Sequence, residues 1–175
     1  MGRLPPGQLQ GSGNVRVLFI VPYPIEGPST RYRVEQYLPY LRQQGVQPTV
    51  ARFIASSDFY TIMYRPGHQV YKAAYVLTRV ARRFLDAVRV RQYDVVLVQR
   101  EAMPYGPPII ERLLAHSNTP MVFDFDDAIY LRRSTAANRS LAWLKQPEKT
   151  AEIIRRSRHV VAGNRILADY ATLYN

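Results

Sequence analysis

The sequence predicts an α/β fold: a doubly wound, mainly parallel sheet with helices on both faces, Rossmann-like in plan. Two observations carry this. Short runs that are apolar throughout, rather than alternating, recur about five times along the chain, as strands covered on both faces require. Stretches of helical periodicity separate them, and alternation of this kind builds a parallel sheet. The chain has 175 residues, 47% of them apolar. One domain of that size buries roughly 70% of the surface its unfolded chain exposes.

The elements follow in order. Residues 1–14, rich in Gly, Pro and Gln, have no periodicity and read as a disordered leader before a single domain, residues 15–175. VRVLFIV, Val15–Val21, is β-branched and stops at Pro22, so it reads as a buried strand. A helix is expected from Ser29 or Thr30, with Ser29 as its N-cap, an apolar stripe of Val34, Tyr37, Leu38 and Leu41, and Gly45 closing it. Residues 49–54 read as a second strand. Over residues 69–92 the apolar positions Val70, Ala73, Ala74, Leu77, Val80, Ala81, Phe84, Leu85 and Val88 step by three and four, an amphipathic helix whose apolar face is expected to cover the sheet. VVLVQ (Val95–Gln99) is the third strand, and Pro107 or Pro108 opens a helix to His116. MVFDF (Met121–Phe125) is the fourth strand, residues 141–157 a helix, HVVA (His159–Ala162) the fifth strand, and Asn164 caps the last helix.

Composition narrows the chemistry. With no cysteine there is no disulfide, no zinc–thiolate site and no Cys nucleophile. His68, His116 and His159 lack metal-ligand spacing, and Trp143 reads as a packing residue. No apolar run approaches the ~18 residues of a membrane span, so cytoplasmic residence is the expectation. The formal net charge of +11 attracts polyanions: nucleic acid, anionic headgroups or phosphorylated substrates. No nucleic-acid recognition module is visible, so no specific nucleic acid is expected as partner. The basic helix, with Arg79, Arg82 and Arg83, suits an anionic membrane surface, or is a core-packed helix with a solvated basic face.

Ligands of open parallel sheets bind beyond the carboxyl ends of the strands. After the first strand come Gly27, Arg31 and Arg33, which suit an anion at a helix N-terminus or form an ordinary turn with surface arginines. After the third come Arg100 and Glu101, and after the fifth Gly163 and Asn164. Asp124, Asp126 and Asp127 crowd the end of the fourth, and mutually repelling carboxylates need a reason to be there. Three readings stay open: a catalytic or acceptor-binding carboxylate, a magnesium or manganese DxD site, or a helix cap with ion pairs to Arg132 or Arg133.

The motifs VLFIVPYPIEGPSTRYRVEQYLPYLRQQG, DVVLVQREAMPYGPP, VFDFDDAIY and VVAGNRILADYA, in this order, resemble the N-terminal domain of the family 4 (group 1) glycosyltransferases. The resemblance runs from about Val15 to Asn175 and implies one half of a GT-B fold. It implies an acceptor-binding domain facing a C-terminal domain that binds the nucleotide-sugar donor and carries a pair of glutamates, with no obligatory metal or other cofactor. It also implies lipid-linked or cell-envelope acceptors at a membrane's inner face. Carried onto this chain, Gly27, Arg31 and Arg33 lie in the loop that approaches the donor phosphates, without the family's paired glycines. Asp126 or Asp127 takes the place of an acceptor-contacting or catalytic polar residue. Glu101 lines the same cleft, and Gly163 and Asn164 form the turn into the last helix. No donor domain follows residue 175, so the expectation is a truncated half with negligible transferase activity alone. Two rivals stand beside it: a haloacid-dehalogenase-like phosphatase using Asp124 and Asp126, and a non-catalytic basic binding module.

Overall fold

The computed structural model describes residues 14–103, 106–131, 146 and 148–175. Nearly all of the expected leader, Trp143, Arg132, Arg133 and the first part of the expected helix over 141–157 lie outside the described residues. Within them, strands β1 (Val15–Val21), β2 (Val46–Arg52), β3 (Val95–Gln99), β4 (Met121–Phe125) and β5 (His159–Ala162) form a sheet in the order β2-β1-β3-β4-β5. Every pairing is parallel: Val15 faces Val46, Val17 faces Val95, Val96 faces Met121 and Val122 faces His159. This is the doubly wound architecture that the apolar runs predict, and four of the five strands have the expected bounds. β2 starts earlier than expected. It contains Pro48, which cannot donate to a ladder, and β2 tolerates it because it is an edge strand.

The first helix is broken where the sequence reading joined it. α1 (Pro28–Arg33), a 3-10 turn (Glu35–Tyr37) and α2 (Leu38–Gln43) replace one continuous helix. Pro39 explains the break: its ring would clash with the carbonyl of Glu35, and it has no N–H to give. Gly27, not Ser29, is the N-cap, with Pro28 in the first turn. Gly45 ends the segment at φ +79°, the left-handed position that favours glycine. α3 (Phe59–Met63), α4 (Gln69–Arg89), α5 (Ile109–Ala115), α6 (Glu148–Arg156) and α7 (Arg165–Ala171) complete the chain.

Alternation along the strands divides the core. Phe19 and Val21 of β1 pack with Val34 and Leu38 on one face of the sheet. Leu18, Ile20, Val96 and Phe123 point to the other face, with Ala87 of α4, Ile110 of α5 and Ile154 of α6. The larger cluster holds the sheet's centre. Each of its fully buried aliphatic side chains contributes roughly 1.5–3 kcal/mol.

α4 is rotated relative to expectation: of the nine apolar positions expected on its inner face, Val80 alone packs against the sheet. Val76, Val80, Arg83 and Ala87 face the sheet, while Leu77 and Val88 are 70% and 76% exposed. Arg83 fixes that rotation. It is 1% exposed, and its Nε donates to Ala102 O at 2.9 Å, Nη1 to Ala51 O at 2.9 Å and Nη2 to Val21 O at 2.6 Å. Burial lowers its pKa to about 10, with Asp86 at 3.2 Å opposing the shift. Arg83 is therefore no surface residue: it ties the ends of β1 and β2 to the loop after β3. Arg79 is also engaged, donating to Phe53 O at 2.5 Å and Arg52 O at 3.1 Å. Of the three arginines assigned to a membrane surface, Arg82 alone is exposed. Among the described residues no helix is long and apolar enough to cross a membrane.

Candidate functional site

β1 lies between β2 and β3, so the winding reverses between β1 and β3. At such a switch point the loops beyond the carboxyl ends diverge and leave a crevice. The loop after β1 turns tightly at Gly27, whose N–H donates to Pro24 O at 2.9 Å. A Cβ on residue 27 would stand 2.5 Å from the Tyr23 Cβ, so this close approach requires glycine. The turn sets α1 over the ends of β3 and β4.

Three hydroxyl and amide groups then converge. The Thr30 hydroxyl donates to Gln99 Oε1 at 3.0 Å, and Gln99 Nε2 donates to Ser29 Oγ at 2.6 Å. Ser29 in turn donates to Asp126 Oδ2 at 2.6 Å. Thr30 and Gln99 are fully buried, so this chain fixes Asp126 from below. Asp126 Oδ1 is enclosed and accepts no hydrogen bond, although the Arg100 guanidinium stands 3.7 Å away.

Arg100 has φ +62°, a left-handed conformation that costs a side-chain-bearing residue about 1–2 kcal/mol. Its N–H donates to Asp124 O at 2.7 Å, continuing the β3 ladder, and its guanidinium lies 2.5 Å from Asp127 Oδ2. Burial opposes its charge, but Tyr23, Asp127 and Asp126 together outweigh that, and its pKa is raised. Behind this group, Arg33 forms a two-pronged pair with the buried carboxylate of Asp124. Burial raises the Asp124 pKa against the pull of Arg33, and the adjacent Asp126 adds to the rise. The three aspartates thus have separate partners: Arg33 for Asp124, Ser29 for Asp126 and Arg100 for Asp127.

The other expected site residues are dispersed. Arg31 is exposed and lies over the Tyr32 ring at 4.9 Å. With Arg33 engaged by Asp124, with Pro28 in the first turn and with α1 only six residues long, no anion cradle is assembled from Gly27, Arg31 and Arg33. Glu101 pairs with Lys149 of α6, whose Nζ also donates to Met103 O at 3.1 Å. Asn164 caps α7 by accepting from Leu167 N at 3.0 Å. Gly163 does belong to the site, because a Cβ there would stand 2.9 Å from the Asp126 Cα. Among the described residues no group of three His, Asp or Glu is placed to hold a metal ion.

Sequence reasoning missed Gln99, Thr30 and the site role of Ser29. A signal was present: Gln99 ends a run of four apolar strand residues, and a buried amide needs partners.

In chemical terms the arrangement is a carboxylate pair, Asp126 and Asp127, bridged by one cation, at the edge of a switch-point crevice. It can accept hydrogen bonds from hydroxyl groups and hold charge separation in a partly desolvated place. No family model matches the chain, and no curated protein matches it.

Proposed function

We propose that this chain is the acceptor-binding domain of a glycosyltransferase that moves a sugar from a nucleotide-sugar donor to a lipid-linked or cell-envelope acceptor. The observation that carries the reading is the bridging of Asp126 and Asp127 by Arg100 at the β1/β3 switch point, with Asp126 fixed by Ser29. The order of motifs supports it, since the site residues fall in the stretches that resemble the transferase family. In this reading an acceptor hydroxyl donates its hydrogen bond to the Asp126 carboxylate. The acceptor oxygen then forms the new bond to the sugar's anomeric carbon while its proton passes to the Asp126 carboxylate, and the bond from that carbon to the donor's phosphate oxygen breaks, so that the nucleoside diphosphate leaves as the anion. In this reading the donor and its paired glutamates belong to a second α/β domain, and the part of the described domain is to bind the acceptor.

The phosphatase rival needs Asp124 as a free nucleophile. Asp124 is 4% exposed and held by both prongs of Arg33, which supports the transferase reading over the phosphatase one.

The test is an NMR titration of the domain with a short-chain prenyl-phosphate-linked sugar. Amide shifts centred on Ser29, Arg100, Asp126 and Asp127, weakened at least about tenfold by Asp126→Ala, are the expected result. Shifts mapping elsewhere, or binding indifferent to Asp126, would sink the proposal.

A further inference from the structure

α4 turns an apolar stripe away from the protein. At roughly 100° per residue, Val70, Ala74, Leu77, Ala81, Leu85 and Val88 fall within one narrow arc running the length of the helix. All six are exposed, Val70 to 85%. The opposite arc, with Val76, Val80 and Ala87, already covers the sheet. Among the described residues the stripe therefore takes no part in covering the sheet. A contiguous exposed patch of that kind marks a surface built for a partner.

Its surroundings say which partner. Between Arg65 and Arg91 the only acid is Asp86, and it is paired to the buried Arg83. Arg82 and Arg89, seven residues apart and both exposed, line one border of the stripe. Before the amino end of α4 come Tyr60 and Met63 of α3 and Tyr64 just after it, all exposed, with ring centroids of Tyr60 and Tyr64 6.2 Å apart. Apolar stripe, cationic border and tyrosines at one end match the water–lipid boundary: acyl chains, anionic headgroups and the interfacial belt in turn. A second copy of this chain would meet the same cations, and like charges would face each other across the contact.

We infer that α4, with α3, lies flat in the surface of an anionic bilayer, its stripe in the acyl boundary and Arg82 and Arg89 among the headgroups. The inference rests on these two helices and does not need the transferase reading. It differs from a basic-face attraction in kind, because two of the arginines first assigned to it are buried or engaged and the apolar residues make the contact. It also has a geometric consequence. α3 follows the carboxyl end of β2, and Phe59 packs edge-on against Tyr23 of the site loop at 6.2 Å between centroids. The bilayer therefore lies beside the edge of the sheet that carries Asp126.

The chain has no cysteine, so single labels report cleanly. The chain is mixed with vesicles of phosphatidylglycerol and phosphatidylcholine, or of phosphatidylcholine alone, and sedimented. A polarity-sensitive fluorophore on Val88→Cys is compared with one on Gln47→Cys, on the exposed side of β2. Expected are pelleting with the anionic vesicles only, and a blue shift at position 88 but not at 47. The double variant Leu77→Ser/Val88→Ser should partition about tenfold less or weaker still, since each lost apolar contact is large on this scale. Both positions are exposed, so its circular dichroism and melting should be unchanged. Pelleting that the double variant leaves intact would overturn the inference, as would no binding to either vesicle. A dimer in vesicle-free buffer that the double variant dissolves would overturn it too, by assigning the stripe to a second copy.

Discussion

Gly163 lies against Asp126: a Cβ at residue 163 would stand 2.9 Å from the Asp126 Cα and 3.4 Å from its carbonyl oxygen. Both contacts are backbone or near-backbone, and Gly163 N–H is bound to Phe125 O at 2.9 Å, so neither side can step away. The end of β5 thus fixes the position of the carboxylate at the end of β4.

Gly163→Ala should destabilise the domain by about 1–3 kcal/mol, the range of small overpacking errors. It should also move the amide signals of Asp126 and Asp127 before those of β1. Urea unfolding and a heteronuclear spectrum measure both. An alanine variant as stable as the parent would show that this contact is slack.

Arg33 and Asp124 should respond asymmetrically. Asp124 has 6% of its side chain exposed and Arg33 25%. Arg33→Met leaves a buried carboxylate without its cation and should cost about 3 kcal/mol at neutral pH. Asp124→Asn keeps an acceptor for Arg33 and should cost only about 1 kcal/mol. The Arg33→Met penalty should shrink in acid. Burial raises the folded-state pKa of Asp124 and Arg33 restrains the rise, so without Arg33 it climbs further; the cost is present in full above that higher pKa and is lost as pH falls from it to the pKa of the intact pair. Equal penalties, or one independent of pH, would contradict this account.

Arg83→Leu should cost about 3 kcal/mol or more in urea unfolding, despite fitting a buried position. The leucine takes a donor from the carbonyls of Val21, Ala51 and Ala102, of which Val21 O keeps only the Phe53 N–H at 2.9 Å, and leaves Asp86 without its partner. A stable Arg83→Leu variant would mean that water reaches those carbonyls.

The difference between what the sequence disclosed and what it concealed follows the same residues. Strands covered on both faces are mostly apolar runs, so β1, β3, β4 and β5 were legible to the residue, with Arg16, Gln99, Asp124 and His159 as the polar exceptions within them. The aspartates at the end of β4 were legible as well, because repelling charges at a strand end are unusual. The rotation of α4 was not. Its strongest apolar stripe is the exposed one, and the face against the sheet carries Arg83, which periodicity counts as polar. Only the three carbonyls that Arg83 finds, all from other elements, make that face the inner one. The links from Ser29 to Asp126 and from Arg33 to Asp124 span more than ninety positions, and no local pattern encodes them.

Glu152 should give the domain an acid-sensitive increment of stability. Arg112 first, and then Arg156, hold its pKa down at about 2 from an ordinary 4.5. A carboxylate depressed in the folded state contributes stability in full above its unfolded pKa, and loses it as pH falls through the folded one. The pair with Arg112 at 2.7 Å is largely solvent-exposed, so screening keeps the increment small. Glu152→Gln should lower the urea midpoint slightly at neutral pH, and the gap from wild type should close between pH 4.5 and about 2. A gap that widens on acidification would reverse the assigned sign.

Arg100 separates strain from charge. Arg100→Ala removes the guanidinium from Asp126 and Asp127 but keeps a Cβ at φ +62°. Arg100→Gly removes the same charge and the strain together. The glycine variant should therefore be the more stable of the two by about 1 kcal/mol, less what glycine adds to the entropy of the unfolded chain. Against wild type the two lost pairings differ: Asp127 is 64% exposed and its pair contributes little, whereas Asp126, 24% exposed, loses its nearby cation and sets the remaining cost. Equilibrium unfolding of the three proteins in one buffer decides it. If alanine equals glycine, residue 100 is not strained. If glycine matches wild type, stability does not favour arginine over glycine there. What the guanidinium then supplies is the cation between Asp126 and Asp127, and its loss should appear in acceptor binding rather than in folding.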